Sequence, residues 1–232
     1  MRWIRSAFIE MVMRPLVWLL AKPRIDAPHD LGERTPEPIL IVANHVTTYD
    51  GPLVQYALPG RIRRRMAVAM SGEMLEDFRH FRNPEHGPLY GQFSPFGPFV
   101  WFLLTALFNV FPLPRLRDFQ RSFAHAGEAL DRGFHVLVFP EGTRSPAGQL
   151  ARFRPGIGLL VRQSDTAVLP VAICGLGELK VRGRTWFRSG TIEVRVGSLI
   201  RFAPETTESA ITERLHEEVD KLLRATEYAP AD

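Results

Sequence analysis

Two short apolar runs, residues 39–43 (Ile-Leu-Ile-Val-Ala) and 134–139 (Phe-His-Val-Leu-Val-Phe), each break abruptly into a loop crowded with reactive side chains. An unbroken apolar run of this length, with no polar residue at alternate positions, suits a strand covered on both faces, as in a parallel sheet. Residues 167–173 form a third such run, and 65–70 a shorter one. Helical signals lie between them. Phe119, Phe123, Ala126 and Leu130 recur at helical spacing between a candidate cap at Asp118 and a stop at Gly133. Residues 51–58 and 156–162 read as short helices, and Ile211, Leu215, Val219 and Leu222 line the apolar face of a last one. Residues 191–196 alternate and predict a strand with one wet face, whereas 72–97 are loop-rich. Strands alternating with helices predict an α/β fold, a mainly parallel central sheet with helices on both faces. In such a sheet ligands bind beyond the carboxyl ends of the strands, so the two loops share one rim.

The first loop is Asn44-His45-Val46-Thr47-Thr48-Tyr49-Asp50. A neutral imidazole can take a proton from a hydroxyl, and a carboxylate on its second ring nitrogen fixes the tautomer and stabilises the imidazolium. On a continuous helix residues five apart point about 140° away from each other, so His45 and Asp50 meet only if the chain turns between them. The β-branched Val46, Thr47 and Thr48 favour that turn. The competing reading makes Asp50 the N-cap of the helix that begins at Gly51-Pro52 and His45 a satisfied histidine at a strand end.

The second loop, Pro140-Glu141-Gly142-Thr143-Arg144-Ser145, combines a glycine turn with a guanidinium. Backbone N–H groups and an arginine together suit a phosphate or a developing oxyanion. An ordinary polar strand-to-helix loop is the alternative.

Asn-His-x4-Asp followed some ninety residues later by Phe-Pro-Glu-Gly-Thr-Arg-Ser resembles the first and third motif blocks of the PlsC-like glycerophospholipid acyltransferases. Phe111-Pro112-Leu113-Pro114-Arg115 and Leu169-Pro170-Val171 resemble the other two, so the resemblance covers residues 38–200. It implies transfer of a fatty acyl group from acyl-CoA or acyl-carrier protein to a hydroxyl of lysophosphatidic acid or a related lysophospholipid. It also implies His45 as general base with Asp50 orienting it, and Arg115, Glu141, Gly142, Thr143 and Arg144 around the acceptor phosphate. Glu141 would shape this site, because a carboxylate repels phosphate. Hydroxyl attack on a thioester needs a base and oxyanion stabilisation, so neither a metal nor any other cofactor is expected. The family's Phe-Lys-x-Gly is here Phe153-Arg154-Pro155-Gly156. Lysine and arginine bind phosphate differently.

A chain of 232 residues with 45% hydrophobic content is long enough for one sizeable core. Residues 1–24 read as an amphipathic membrane-associating helical segment and 25–226 as the acyltransferase domain. Trp3, Phe8, Met11, Leu16, Trp18 and Leu19 suit an interface, but Arg5, Glu10 and Arg14 interrupt any span. A core-packed helix is the alternative. Residues 99–108 are apolar all round but too short to cross, which leaves a buried helix or a re-entrant dip. The expected location is the cytoplasmic face of a membrane, with attachment that is peripheral or monotopic. Net charge is +4, and with only Lys22, Lys180 and Lys221 as lysines the basic residues are mostly arginine. The basic segments 61–65 and 180–188 suit anionic lipid, an acidic carrier or a solvated face, and nucleic acid is not an expected partner. Cys174, the single cysteine, follows an apolar run and reads as a buried thiol. His80 and His86 near Asp77 and Glu85 lack the spacing of a metal set. The chain has no Gly-x-Gly-x-x-Gly, no Gly-x4-Gly-Lys-Ser/Thr and no Gly-x-Ser-x-Gly, which removes the commonest nucleotide-binding and hydrolase signatures. A noncatalytic lipid- or carrier-binding module of the same fold is the alternative function.

Overall fold

The computed structural model describes residues 2–35, 38–47, 49–71, 79–80, 98, 110–113, 119–145, 149–179 and 190–225. The expectations for 99–108, 180–188, Asp77, Glu85 and His86 lie outside these residues.

Seven strands form one sheet: β1 (Arg24–Asp26), β2 (Leu40–Ala43), β3 (Met66–Ser71), β4 (Val110–Leu113), β5 (His135–Val138), β6 (Val168–Cys174) and β7 (Glu193–Val196). Their order is β1-β7-β6-β2-β5-β3-β4. Strands β6, β2, β5, β3 and β4 are mutually parallel. β7 runs antiparallel to β6, and β1 follows β7, so two strands at one edge are reversed. The sheet is therefore mixed, with the expected parallel arrangement confined to its centre and one flank.

The central strand β2 shows why its sequence lacks polar alternation. Leu40 and Val42 point to one face and join Val136, Val138, Leu160, Ile211 and Leu215. Ile39, Ile41 and Ala43 point to the other and join Leu53, Val54, Leu58 and Leu169. Fully burying a side chain of this size is worth about 1.5–3 kcal/mol, so both faces demand apolar residues. The first face is covered by α6 (Phe119–Asp131), α7 (Gly156–Ser164) and α9 (Glu208–Arg224), the second by α4 (Asp50–Ala57) and α5 (Gly60–Arg63), so helices lie on both faces. Two one-turn helices that the sequence pattern does not announce, α3 (Leu31–Arg34) and α8 (Leu176–Leu179), complete the described set.

The N-terminal segment runs as α1 (Arg2–Phe8), a π-helical turn (Ile9–Met13) and α2 (Arg14–Ala21). Ile9 and Met13 are buried, so this helix packs on the body along one stripe. Glu10 in the π turn receives two hydrogen bonds from Arg63, from Nε at 2.8 Å and Nη2 at 2.7 Å. Those bonds hold its carboxyl below the usual carboxylate range. The opposite side exposes Trp3, Ile4, Met11, Leu16, Trp18, Leu19 and Leu20. No helix among the described residues is long and apolar enough to cross a membrane.

Burial raises the Cys174 thiol above its ordinary range, consistent with an inert, half-buried side chain. Gly158, part of a Gly-x-Gly pair, serves helix packing: a Cβ there would run into the backbone carbonyl of Glu208 where α7 crosses α9. Gly158→Ala is expected to destabilise the protein by about 1–3 kcal/mol, the usual cost of overpacking, measured as a fall in the urea midpoint.

Candidate active site

β2 and β5 are hydrogen-bonded neighbours running the same way, with Leu40 beside Val136 and Val42 beside Val138. Their carboxyl ends therefore release residues 44–49 and 139–145 side by side. The expected common rim is present.

At the first of these ends Asn44 is buried and extends the sheet with its side chain. Its Oδ1 accepts from the Ile173 N–H at 2.7 Å, and its Nδ2 donates to the Ile173 carbonyl at 3.1 Å. The end of β2 is thereby tied to the end of β6. His45 comes next, and the chain turns back on itself. Its Nδ1 lies 2.8 Å from Asp50 Oδ2. Asp50 is fully buried and also accepts from Val46 N at 2.6 Å, from Thr47 N at 2.9 Å and from the Thr47 hydroxyl at 2.8 Å. Three backbone and hydroxyl donors make burial of this carboxylate tolerable. A carboxylate offers only acceptor oxygens, so a proton on Nδ1 completes this contact and leaves the lone pair on Nε2. Asp50 is the first residue of α4, and its side chain reaches backward to residues 45–47. It thus satisfies backbone donors ahead of the helix as a capping residue would while it also orients His45.

The second loop holds His45 from the other side. Glu141 is buried, and its carboxylate accepts from the His45 N–H at 2.6 Å, from the Ala151 N–H at 3.0 Å and from the Ser145 hydroxyl. The Ser145 N–H in turn donates to the His45 carbonyl at 2.8 Å. Both backbone groups of His45 are therefore fixed by the 141–145 loop. Phe139 stacks on the imidazole, with ring centroids 4.5 Å apart and an interplanar angle of 22°. The His45 side chain keeps 18% of its surface exposed.

Gly142 has φ +70°, a left-handed conformation that favours glycine, and the Arg154 side chain lies against the space where a Cβ would stand. Arg154 Nε donates to the Glu141 carbonyl at 3.4 Å. Thr143 is exposed and Arg144 half-buried on the same loop, and among the described residues neither Arg144 nor Arg154 forms an ion pair. Arg115 lies outside the described residues. The structure thus brings together His45, Asp50, Glu141 and Gly142, and draws in Asn44, Thr47, Phe139 and Arg154, to which the sequence reading assigned no contact at this site. A hydroxyl three residues before a buried aspartate is the local signal for Thr47, as in Asx and ST turns. The contacts of Phe139 and Arg154 leave no local signal, since they are made between separate loops.

A family model described as Acyltransferase matches residues 88–174. A chloroplastic 1-acyl-sn-glycerol-3-phosphate acyltransferase of Arabidopsis thaliana is 32% identical over 80 residues, 34% of this chain and 22% of the relative. A 1-acyl-sn-glycerol-3-phosphate acyltransferase of Pseudomonas aeruginosa is 37% identical over 76 residues, 30% of this chain and 27% of that one. In structure the chain is similar to the 1-acyl-sn-glycerophosphate acyltransferase PlsC from Thermotoga maritima, with TM-score 0.66 and 20% identity over 98% of this chain and 81% of that one. Over residues 88–174 the chain is similar to the acyltransferase family, and its fold is similar to that of PlsC. The matches span about a quarter of the length of these two sequence relatives. The family match contains the 141–145 loop but begins after His45 and Asp50, the first of which the loop contacts directly.

Because Glu141 is consumed by protein donors, Glu141→Leu is expected to strand the His45 and Ala151 N–H groups. The expected loss is about 1–3 kcal/mol for each stranded group, read by chemical denaturation without ligand. Unchanged stability would mean that Glu141 faces substrate instead.

Proposed function

We propose that this protein transfers a fatty acyl group from an acyl thioester to a free hydroxyl of lysophosphatidic acid or a related lysophospholipid. One observation carries the reading: His45, with Nδ1 on a fully buried and fully hydrogen-bonded Asp50, sits at the exposed rim of a PlsC-like sheet. Sequence relatives named 1-acyl-sn-glycerol-3-phosphate acyltransferases support the acceptor class. In the step, the acceptor hydroxyl gives its proton to His45 Nε2 while its oxygen attacks the thioester carbonyl carbon. Collapse of the tetrahedral intermediate breaks the carbon–sulfur bond, and the departing thiolate recovers the proton from Nε2. Asp50 keeps Nδ1 protonated throughout and stabilises the imidazolium between the two transfers. Arg144 and, by resemblance, Arg115 supply charge to the acceptor phosphate beside Gly142 and Thr143. The donor is acyl-CoA or acyl-carrier protein, whose thioester the mechanism treats alike.

His45→Ala is expected to keep the fold and lose about 10²- to 10⁴-fold in kcat, the usual share of a general base. Product mass spectrometry with an acyl thioester and lysophosphatidic acid reads it. A folded variant working at the wild-type rate would refute the mechanism.

The same reading places the protein on a membrane surface through the exposed side of residues 2–21, where Trp18 and Lys22 pair, Nζ lying 5.6 Å from the ring centroid. Arg5, Lys22 and Arg24 face the headgroups in this arrangement. Arg14, which the sequence reading counted with them, is occupied by Glu10 at 3.4 Å and by the Tyr56 ring. Replacing Trp3, Leu16, Trp18 and Leu19 together by serine leaves Ile9, Met13 and Glu10 in place. It is expected to release the protein from sedimenting phosphatidylglycerol vesicles without lowering its melting temperature. Retention on the vesicles would move the anchor elsewhere.

A further inference from the structure

Phe139 closes β5's apolar run and stands two residues before Glu141. Its ring is packed against the core cluster beneath β2 and α4 on one side and against the imidazole of His45 on the other. A parallel stack at 4.5 Å puts the imidazole over the electron-rich face of the benzene ring, inside the range of about 6 Å at which a cation is attracted to that face. Nδ1 is engaged by Asp50. The ring surface left for a substrate is therefore the Nε2 edge and the face away from Phe139. Among the described residues, Asp50 on α4 meets the His45 ring and Glu141 on the loop after β5 meets its backbone N–H.

We propose that Phe139 is a positioning residue for the acyl transfer: its ring face fixes the plane of the His45 imidazole and stabilises the imidazolium that forms when the hydroxyl proton arrives. This rests on His45 as the base. The interaction is stronger once the ring is charged, so it lowers the barrier rather than binding substrate, and it appears in kcat. It also couples the two motif loops through a contact separate from the Glu141 clamp.

The test compares Phe139→Leu and Phe139→Tyr in the full chain. Leucine keeps apolar packing without a π face, whereas tyrosine keeps the face. Phe139→Leu is expected to lose about two- to thirtyfold in kcat, with KM for both substrates unchanged, and Phe139→Tyr to recover most of it. Without substrate, the His45 ring proton signals are expected to lose their upfield ring-current displacement in Phe139→Leu. Phe139→Tyr should keep the wild-type displacement. Should Phe139→Leu not fold, Phe139→Met fills the gap without a ring and gives the same comparison. Equal behaviour of leucine and tyrosine variants, or a loss confined to KM, would overturn the proposal. Wild-type protein that transfers no acyl group would remove the function reading, while the His45 ring proton displacement in the two variants would still decide whether Phe139 holds the imidazole plane.

Discussion

A carboxylate withdrawn from water must be given donors, and the site is organised around meeting that requirement twice. Glu141 is buried at the end of β5, and its donors come from three places: the backbone of His45, its own loop, and Ala151 beyond the loop. An unpaired charge there would cost several kcal/mol, so the loops cannot separate without exposing it. The His45 carbonyl bond from Ser145 adds a second tie between the same segments. The position of the imidazole thus depends less on its own strand than on a charge lying 96 residues away.

Asp50 meets the requirement differently. Its donors are local, from Val46 and Thr47, and the turn they form brings it onto Nδ1. A carboxylate that already accepts three hydrogen bonds cannot swing away, so the imidazole is oriented before any substrate arrives. In the proposed acyl transfer, such preorganisation avoids rearrangement when the proton moves. Asn44, bonded both ways to Ile173, brings β6 into the same assembly, and three neighbouring strands contribute to fixing one residue. The N-terminal helix joins this body through Ile9, Met13 and the Glu10–Arg63 pair, which leaves its opposite side free to meet another surface.

The fold was legible wherever local pattern and burial agree. The run 39–43 is buried on both faces because β2 is central, and the predicted strand matches it to within a residue. The helix read between Asp118 and Gly133 is α6, and that read from Ile211 to Leu222 is α9. β7 was legible as a strand but not as a reversed one. Its antiparallel pairing with β6 is a property of the assembled sheet and does not follow from the alternation of 191–196. β1, only three exposed residues long, carries no pattern at all and exists because β7 offers it an edge.

Within the site, residue identities alone determined a histidine with a carboxylate five positions away, a glycine at a turn, and an arginine two residues beyond it. Chemistry of that kind is written in side-chain type and spacing. Only tertiary structure decided which groups meet. Glu141 became the acceptor for the His45 backbone, Arg154 came to lie over Gly142, and Phe139 became the face against the imidazole, because β2 and β5 are adjacent and parallel. Hydrophobic periodicity specifies which face of a strand is covered, but the neighbour that covers it is chosen by the packing of the whole sheet.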